Sequence, residues 1–409
     1  MLITSHNLKG NGIKMEAYLD NAATTQASNA VCEVVVESLE KNYGNPSSMH
    51  IKGMEAERYI KDAKERIAKT LKVEAKEIIF TSGGTESNNM ALIGIALANQ
   101  RAGKHIISTK IEHPSVYNPL LMLEEFGFRI SFISVDENGQ VNKEELLQEI
   151  CEDTILVSIM YVNNEVGAVQ DIASLSKAVK EKKSDIIFHT DAIQAFGKYK
   201  IYPKREGIDV MSVSGHKFHG PKGSGFLYIK DKVKLKPILH GGGQQKNFRS
   251  GTENVPAIAG LAVAVREIYT DHEEKVAHLY TLKQRLIEGL EQLEGVTMNA
   301  IYANDTTLSK AEALAKTAPH VLSASFAGIR AEVLLHALEE KGVYVSSGSA
   351  CSSNHPALSG SLIAIGVKKE LLDSTLRFSF SVNTTKEQVD YAIEAVKELL
   401  PMLRRFSRK

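Results

Sequence analysis

From Glu77 to Ile229 the sequence alternates short apolar runs with longer amphipathic ones, and this alternation limits the fold more than any other feature of the chain. The short runs fall at Glu77–Thr81, His105–Thr109, Arg129–Val135, Ile155–Tyr161, Ile186–Thr190, Asp209–Val213 and Gly225–Ile229. Between them lie stretches of helical spacing, among them one beginning near Glu86 and others at Pro114–Phe126, Lys143–Glu152 and Ile172–Lys182. A short apolar run fits a strand buried on both faces, and strand–helix alternation predicts a largely parallel sheet covered by helices on both sides. Such α/β sheets bind their ligands beyond the C-terminal ends of the strands.

Polar clusters sit at those ends. Glu112-His113 follows the strand at 105–109, Asn163-Asn164-Glu165 the one at 155–161, and Asp191 with Gln194 the one at 186–190. Ser214-Gly-His-Lys217 follows the strand at 209–213 and leads through the turn Phe218–Ser224 into the next apolar run. One polar residue at a strand end says little; four clusters from one sheet can converge on one crevice. Lys217 is the most telling of them. A desolvated lysine has a lowered pKa and forms Schiff bases with carbonyl compounds, whereas a solvated loop lysine does neither. The turn Ser82-Gly-Gly-Thr85, between a strand and a helix, offers free amides and a helix dipole to an anion, although such turns are often plain connections. It is neither a Walker loop nor GxGxxG.

At 409 residues the chain is long enough for two domains. Lys+Arg and Asp+Glu both total 49, so no global field favours nucleic acid or an anionic membrane. No apolar run approaches the ~20 residues that span a bilayer. Met1–Lys14 lacks both the apolar segment of a secretory signal and the arginines of a transit peptide, and is expected to be a short tail, with Met15 a possible natural start. Cys32, Cys151 and Cys351 form no CxxC and no disulfide framework, so a reducing cytoplasm is the expected compartment.

Before the alternating region, Tyr18–Thr25 reads as a strand entering a polar turn. Ser28 caps a helix with Val31, Val34, Val35 and Leu39 at helical spacing, and Cys32 near that stripe is expected to be a packed core thiol. A loop at Tyr43–His50 precedes a charged helix over about Met54–Leu71. Beyond the linker His240–Gln245 come helices at Val255–Tyr269 and His272–Leu293, then strands at Val321–Phe326, Val343–Ser346 and Thr375–Phe380 and helices at Ala331–Glu340 and Lys386–Leu400. Cys351 lies in Ser346-Ser-Gly-Ser-Ala-Cys-Ser-Ser-Asn354, which has almost no apolar anchor. An exposed thiol flanked by small residues suits close approach to another molecule, although loop cysteines are often incidental.

Six segments in order complete the reading: Leu19-Asp-Asn-Ala-Ala-Thr-Thr25, Phe80-Thr-Ser-Gly-Gly-Thr-Glu-Ser-Asn-Asn89, Val162-Asn-Asn-Glu165, Ser214-Gly-His-Lys217, Arg249-Ser-Gly-Thr-Glu-Asn254 and Gly348-Ser-Ala-Cys351. Together they resemble the cysteine desulfurases, NifS/IscS-like branch, of the class V aminotransferase group of pyridoxal-phosphate (PLP) enzymes. The Arg-X-Gly-His-X-Cys signature of the SufS-like branch is absent. The resemblance implies the fold type I of PLP-dependent transferases: an α/β large domain, 27–270, that binds PLP around a mainly parallel sheet, and a smaller α+β domain, 1–26 with 271–409, that carries the cysteine loop. It further implies that Lys217 holds PLP as a Schiff base, that Gly84, Thr85, Ser214 and His216 bind the phosphate, and that Thr252 reaches it from the other subunit of a homodimer. Asp191 would pair with the pyridine nitrogen, Gln194 with the ring hydroxyl oxygen, and His113 would stack on the ring. Asn164 and Arg377 would hold the carboxylate of L-cysteine, and Cys351 would accept the sulfur. No metal is implied.

On that reading the Lys217 amine takes the substrate's Cα proton, the Cys351 thiolate attacks the substrate sulfur and retains it as a persulfide with alanine as co-product, and His113 deprotonates the incoming thiol. The persulfide sulfur would pass to acceptor proteins for iron–sulfur clusters, thiolated tRNA or a thio-cofactor. A related PLP lyase or aminotransferase, such as a selenocysteine lyase, is the nearest alternative, and a sulfur-assembly scaffold that only binds partners is another. A loop thiol argues against transamination, and the full set Lys217, Asp191, His113, Arg377 and Cys351 against a scaffold.

Overall fold

The computed structural model describes residues 15–302, 305, 307–347 and 358–407. A short N-terminal strand β1 (Ala17–Tyr18) stands apart from the central sheet, whose strands are β2 (Ile78–Thr81), β3 (His105–Thr109), β4 (Arg129–Ile133), β5 (Thr154–Ser158), β6 (Ile187–Asp191), β7 (Val210–Ser214) and β8 (Gly225–Ile229). Their order is β2-β8-β7-β6-β5-β3-β4. Only β8 runs against the others, being antiparallel to both β2 and β7. The remaining strands therefore deliver their C-terminal ends to one edge.

Alternation along each strand divides the apolar residues between two faces. Ile78, Phe80, Met211, Phe226 and Tyr228 pack with Ala56–Leu71 and Val255–Ile268 on one side. Ile79, Val210, Leu227 and Ile229 pack with Met90–Ala96 and Val116–Leu123 on the other. Both faces are covered by helices, which is why the strands read as apolar runs rather than as half-polar ones.

A second sheet has the order β12-β13-β10-β9, made of β9 (Val296–Asn299), β10 (Val321–Phe326), β12 (Ser346–Ser347) and β13 (Thr375–Ser379), all antiparallel. β11 (Val343–Tyr344) leaves this sheet to pair in parallel with β1, so the single strand expected at 343–346 is two. Its core joins Ala17 and Leu19 to the helices His272–Leu290, Ala331–Glu340 and Lys386–Ser407. That last helix runs past the expected Leu400, through Pro401.

The helix Asn29–Glu40 is capped by Ser28 as expected, its Oγ accepting from the Val31 amide. Its buried face is narrow, Val31 and Ser38 with Val34 and Val35 half-buried, and Cys32 is exposed rather than a core thiol. One residue along a helix turns the side chain by about 100°, enough to carry Cys32 off the stripe that Val31 occupies. Leu39, placed on that stripe by spacing, is exposed too. His50 caps the next helix, which begins at Ile51 instead of near Met54.

Candidate active site

β7 ends at Ser214 and turns at once into the short helical segment Gly215–Lys217. Gly215 lies within hydrogen-bonding reach of Ser224, and a Cβ there would come 2.5 Å from Ser224 Oγ, so this tight turn requires glycine. It carries Lys217 to the sheet edge, where Nζ donates to the carbonyls of Ala22 (2.7 Å) and Ala23 (2.8 Å). A cavity of about 290 Å³ opens around it, lined by Gly84, Thr85, His113, Asn164, Asp191, Gln194, Ser214, His216, Lys217 and Arg377, together with Ala22, Ala23, Ser115 and Met160. Five strand ends and the N-terminal turn meet in one space.

Asp191, the last residue of β6, is 4% exposed. Burial pushes its carboxyl above the usual range, opposed by the Ile193 amide, the His113 ring, the Asn88 amide and the Lys217 charge. Asn88 Nδ2 donates to Asp191 Oδ2 at 2.8 Å and to Ser115 Oγ at 2.9 Å, and Ser115 Oγ lies 2.8 Å from His113 Nδ1. Beneath Asp191, His189 sits between Ser158 (2.8 Å) and Ser212 (3.0 Å), and burial lowers its pKa to about 3. That neutral ring presents no charge to compete for the carboxylate. Gln194 donates to Ala22 O at 3.0 Å and its Oε1 lies 3.0 Å from His320 Nε2, which orients the amide.

At the other end, the helix Gly84–Asn99 begins at Gly83, with φ 148° and no side chain capping the helix. Its first amides and dipole are left for an anion. Ser214 Oγ would lie 3.6 Å from a Cβ on Gly83, and a Cβ on Gly84 would collide with Ile193 Cδ1 at 2.1 Å. An adjoining open groove adds Thr24, Ser82, Lys222 and Gly223 to Gly84, Thr85, Ser214 and His216. Burial, with the Lys217 charge second, lowers the His216 pKa to about 4, so this ring is neutral, with Nδ1 3.1 Å from Thr24 Oγ1. Pyridoxal phosphate fits this set: glycine amides and hydroxyls for a phosphate, a lysine amine for an aldehyde, and a buried carboxylate for a pyridinium N–H.

Arg377, on β13, enters the cavity from the second sheet. Its Nη1 donates to Asn164 O (2.9 Å) and its Nη2 to Asp20 Oδ1 (2.8 Å), while Nε is buried with no partner. The fork expected to meet a substrate carboxylate is thus shared with Asp20. Asn163, next to Asn164, ties its loop down by donating to Ile111 O and Ser361 Oγ.

Every residue expected at the site lines this cavity except two. Thr252 lies elsewhere in its own chain, beside Phe80, Ser82, Gly223 and Gln245. Cys351 lies outside the described residues. Asp20, Asn88, Ser115 and the Ala22 and Ala23 carbonyls were not singled out from the sequence. Asn88 had a signal, since it follows Gly84 by four residues and so shares its helix face. Among the described residues no cluster of His, Cys, Asp and Glu has the makings of a metal site, and no helix is long and apolar enough to cross a membrane.

Residues 17–392 match the family model of the class-V aminotransferases. Among similar proteins, the cysteine desulfurase IscS of Dictyoglomus turgidum is 41% identical over 97% of this chain and 97% of its own. The cysteine desulfurase IscS of Methanosarcina thermophila is 42% identical over 98% of this chain and 97% of its own. Of solved structures, a NifS-like protein superposes with a TM-score of 0.87 at 36% identity, covering 95% of this chain and all of the other. The NifS-like protein from Rickettsia africae gives 0.82 at 31% identity, again over 95% of this chain and all of its own.

Proposed function

This chain belongs to the aminotransferase class-V family and is a PLP-dependent cysteine desulfurase, and from that premise we propose how its residues divide the work. The observation that carries the assignment is the meeting of Lys217, Asp191, Arg377 and the Gly84–Thr85 helix start in one cavity, although they come from separate parts of the chain. Lys217 holds the cofactor through its Nζ. Gly84, Thr85, Ser214 and His216 hold the phosphate, Asp191 the pyridine nitrogen and Gln194 the ring hydroxyl oxygen. When bound, the cofactor supplies an electron sink for the pair left at Cα.

Arg377 and Asn164 orient the cysteine carboxylate, with Arg377 turning part of its fork from Asp20 to the substrate. Lys217 Nζ, once released, takes the Cα proton; the neighbouring carbonyls of Ala22 and Ala23 keep it at the cavity wall. The Cys351 thiolate attacks the substrate sulfur: the C–S bond breaks, an S–S bond forms on Cys351, and the remaining carbon skeleton collects protons to leave as alanine. The persulfide sulfur then passes to acceptor proteins for iron–sulfur clusters, thiolated tRNA or a thio-cofactor.

The working unit is a homodimer in which Thr252 of one chain completes the phosphate site of the other. Its absence from its own chain's cavity supports this, as does the exposure of Val36, Leu39, Tyr43, Met49, Ile51 and Met54 along one stretch. The division at residues 27–270, against 1–26 with 271–409, is supported by Ala17 and Leu19, which pack with the C-terminal elements. The absence of CxxC pairs and the need for a free thiol suit the reducing cytoplasm. In the test, purified protein is yellow and Lys217→Ala loses the Schiff-base absorption. A colourless wild-type protein that PLP does not reconstitute would overturn the assignment.

A further inference from the structure

The helix Pro114–Glu125 begins at His113, and the manner of its beginning fixes the chemistry of the imidazole. Pro114 has no N–H, so the first amide to be satisfied is that of Ser115, and it donates to His113 Nδ1 at 3.1 Å. A backbone N–H can only donate, so Nδ1 holds a lone pair and no proton. Ser115 Oγ stands 2.8 Å from the same nitrogen. Because Asn88 Nδ2 already donates to Ser115 Oγ at 2.9 Å, the hydroxyl hydrogen is free to point at Nδ1 as a second donor. Asn88 in turn is fixed by its 2.8 Å bond to Asp191 Oδ2. Asn88 is fully buried and Ser115 is 7% exposed, so water does not replace these bonds.

A proton on Nδ1 would face the Ser115 backbone N–H donor to donor and strip the helix of its cap. The neutral ring therefore carries its hydrogen on Nε2, the nitrogen not tied to the helix start. Burial, with the Lys217 charge, also holds His113 below its ordinary pKa, and Asp191 opposes this only in part. We propose that His113 serves the reaction as a fixed Nε2–H hydrogen-bond donor, locked by Ser115 and Asn88 as positioning residues, and not as a proton acceptor. This replaces the thiol-deprotonating role expected from the sequence on the near-neutral pKa of histidine, because a base at Nε2 requires the other tautomer. The partner it suits is an anionic oxygen or sulfur atom of whatever fills the cavity: a ring oxygen of the cofactor or the sulfur of the substrate. A neutral imidazole polarises such an atom without giving up its proton.

The inference rests on the placement of cofactor and substrate in this cavity, and the experiment reads the two separately. Holoenzyme labelled with 15N-histidine is measured by NMR, with His113 assigned by its loss in His113→Gln, while visible absorption of the same sample reports cofactor occupancy. The expected result is a protonated Nε2 and an unprotonated Nδ1, with the Nδ1 resonance moving in Ser115→Ala. An imidazolium, an Nδ1–H tautomer, or an Nδ1 resonance indifferent to Ser115→Ala overturns the proposal even if the cofactor is fully bound. A shift of Nε2–H between cofactor-free and holo forms assigns the partner to the cofactor; a shift only when cysteine is added to Cys351→Ser assigns it to the substrate. No shift in either arm rules out the contact. In turnover, His113→Gln supplies an N–H but cannot take a proton, and should stay within about tenfold of wild type while His113→Ala loses about a hundredfold or more. Equal losses in the two variants would restore the base.

Discussion

Glu112 stands next to His113, and burial pushes its carboxyl up to about 8, with Asp191 adding to the rise. Its Oε1 accepts from the Met160 amide (2.9 Å) and Thr109 Oγ1 (2.7 Å), and its Oε2 is buried without a partner. The unfolded chain ionises this residue near 4.5, whereas the folded protein keeps its proton up to about 8, so folding stability falls as pH rises across that window. Glu112→Gln removes the titration while keeping the accepting oxygen. Thermal unfolding from pH 5 to 8.5 should show the variant gaining on wild type as pH rises, at up to about 1.4 kcal/mol per pH unit. Parallel curves would mean that Glu112 is ionised in the native state. Arg377 gives a second prediction at this scale: Arg377→Lys keeps the charge but not the fork, and should raise the KM for cysteine about tenfold or more with cofactor absorption retained. Which residues gather in the cavity was largely legible in the chain, as Lys217, Asp191 and Arg377 show. Partnership was not. That Asp20 occupies part of the Arg377 fork, and that Ala22 O meets Lys217 Nζ, depends on contacts between segments 357 and 195 residues apart. No local pattern of spacing records such pairs.

Among the elements, the proposed phosphate cradle depends on how closely β8 approaches the turn after β2. A Cβ on Gly225 would lie 2.5 Å from Val213 O and 2.8 Å from Gly83 Cα, backbone atoms on both sides. Gly225→Ala must therefore push the Gly83 turn outward and loosen the amides proposed to meet the phosphate. Equilibrium dialysis with PLP should show affinity falling about tenfold or more, while a change at Gly223, where an added Cβ meets nothing within 4 Å, is felt only through its positive φ. Unchanged affinity in Gly225→Ala would move the phosphate away from this turn. Strands and their polar ends were readable because burial on both faces leaves continuous apolar runs, as in Ile78–Phe80 and Val210–Val213. Helix faces were less so. Cys32 was read as core because it adjoins Val31, but the helix Asn29–Glu40 buries only a thin stripe and leaves Val36 and Leu39 exposed with it. Intra-chain packing alone does not explain an apolar helix surface of that kind.

For the whole molecule, those exposed side chains, with Tyr43, Met49, Ile51 and Met54, mark the face on which a second copy should pack. Placing charge there, as Leu39→Glu with Ile51→Glu, should convert a dimer to a monomer by light scattering and lower cofactor occupancy, because Thr252 would no longer reach the neighbouring phosphate site. A monomeric wild-type protein with full PLP content would contradict this arrangement. The two-sheet plan also sets the logic of the reaction: the large sheet gathers Lys217 and Asp191, the second sheet contributes Arg377, and Cys351 follows β12 in sequence. On the proposed roles, activation of the substrate and removal of its sulfur fall to different parts of one chain. The most direct test adds L-cysteine to the PLP-loaded protein without reductant, quantifies alanine, and locates bound sulfur by peptide mass spectrometry. The account predicts one alanine for each sulfur retained, with the added sulfur on the peptide that contains Cys351. Alanine formed with the sulfur released free, or retained on Cys32 or Cys151 instead, would contradict it.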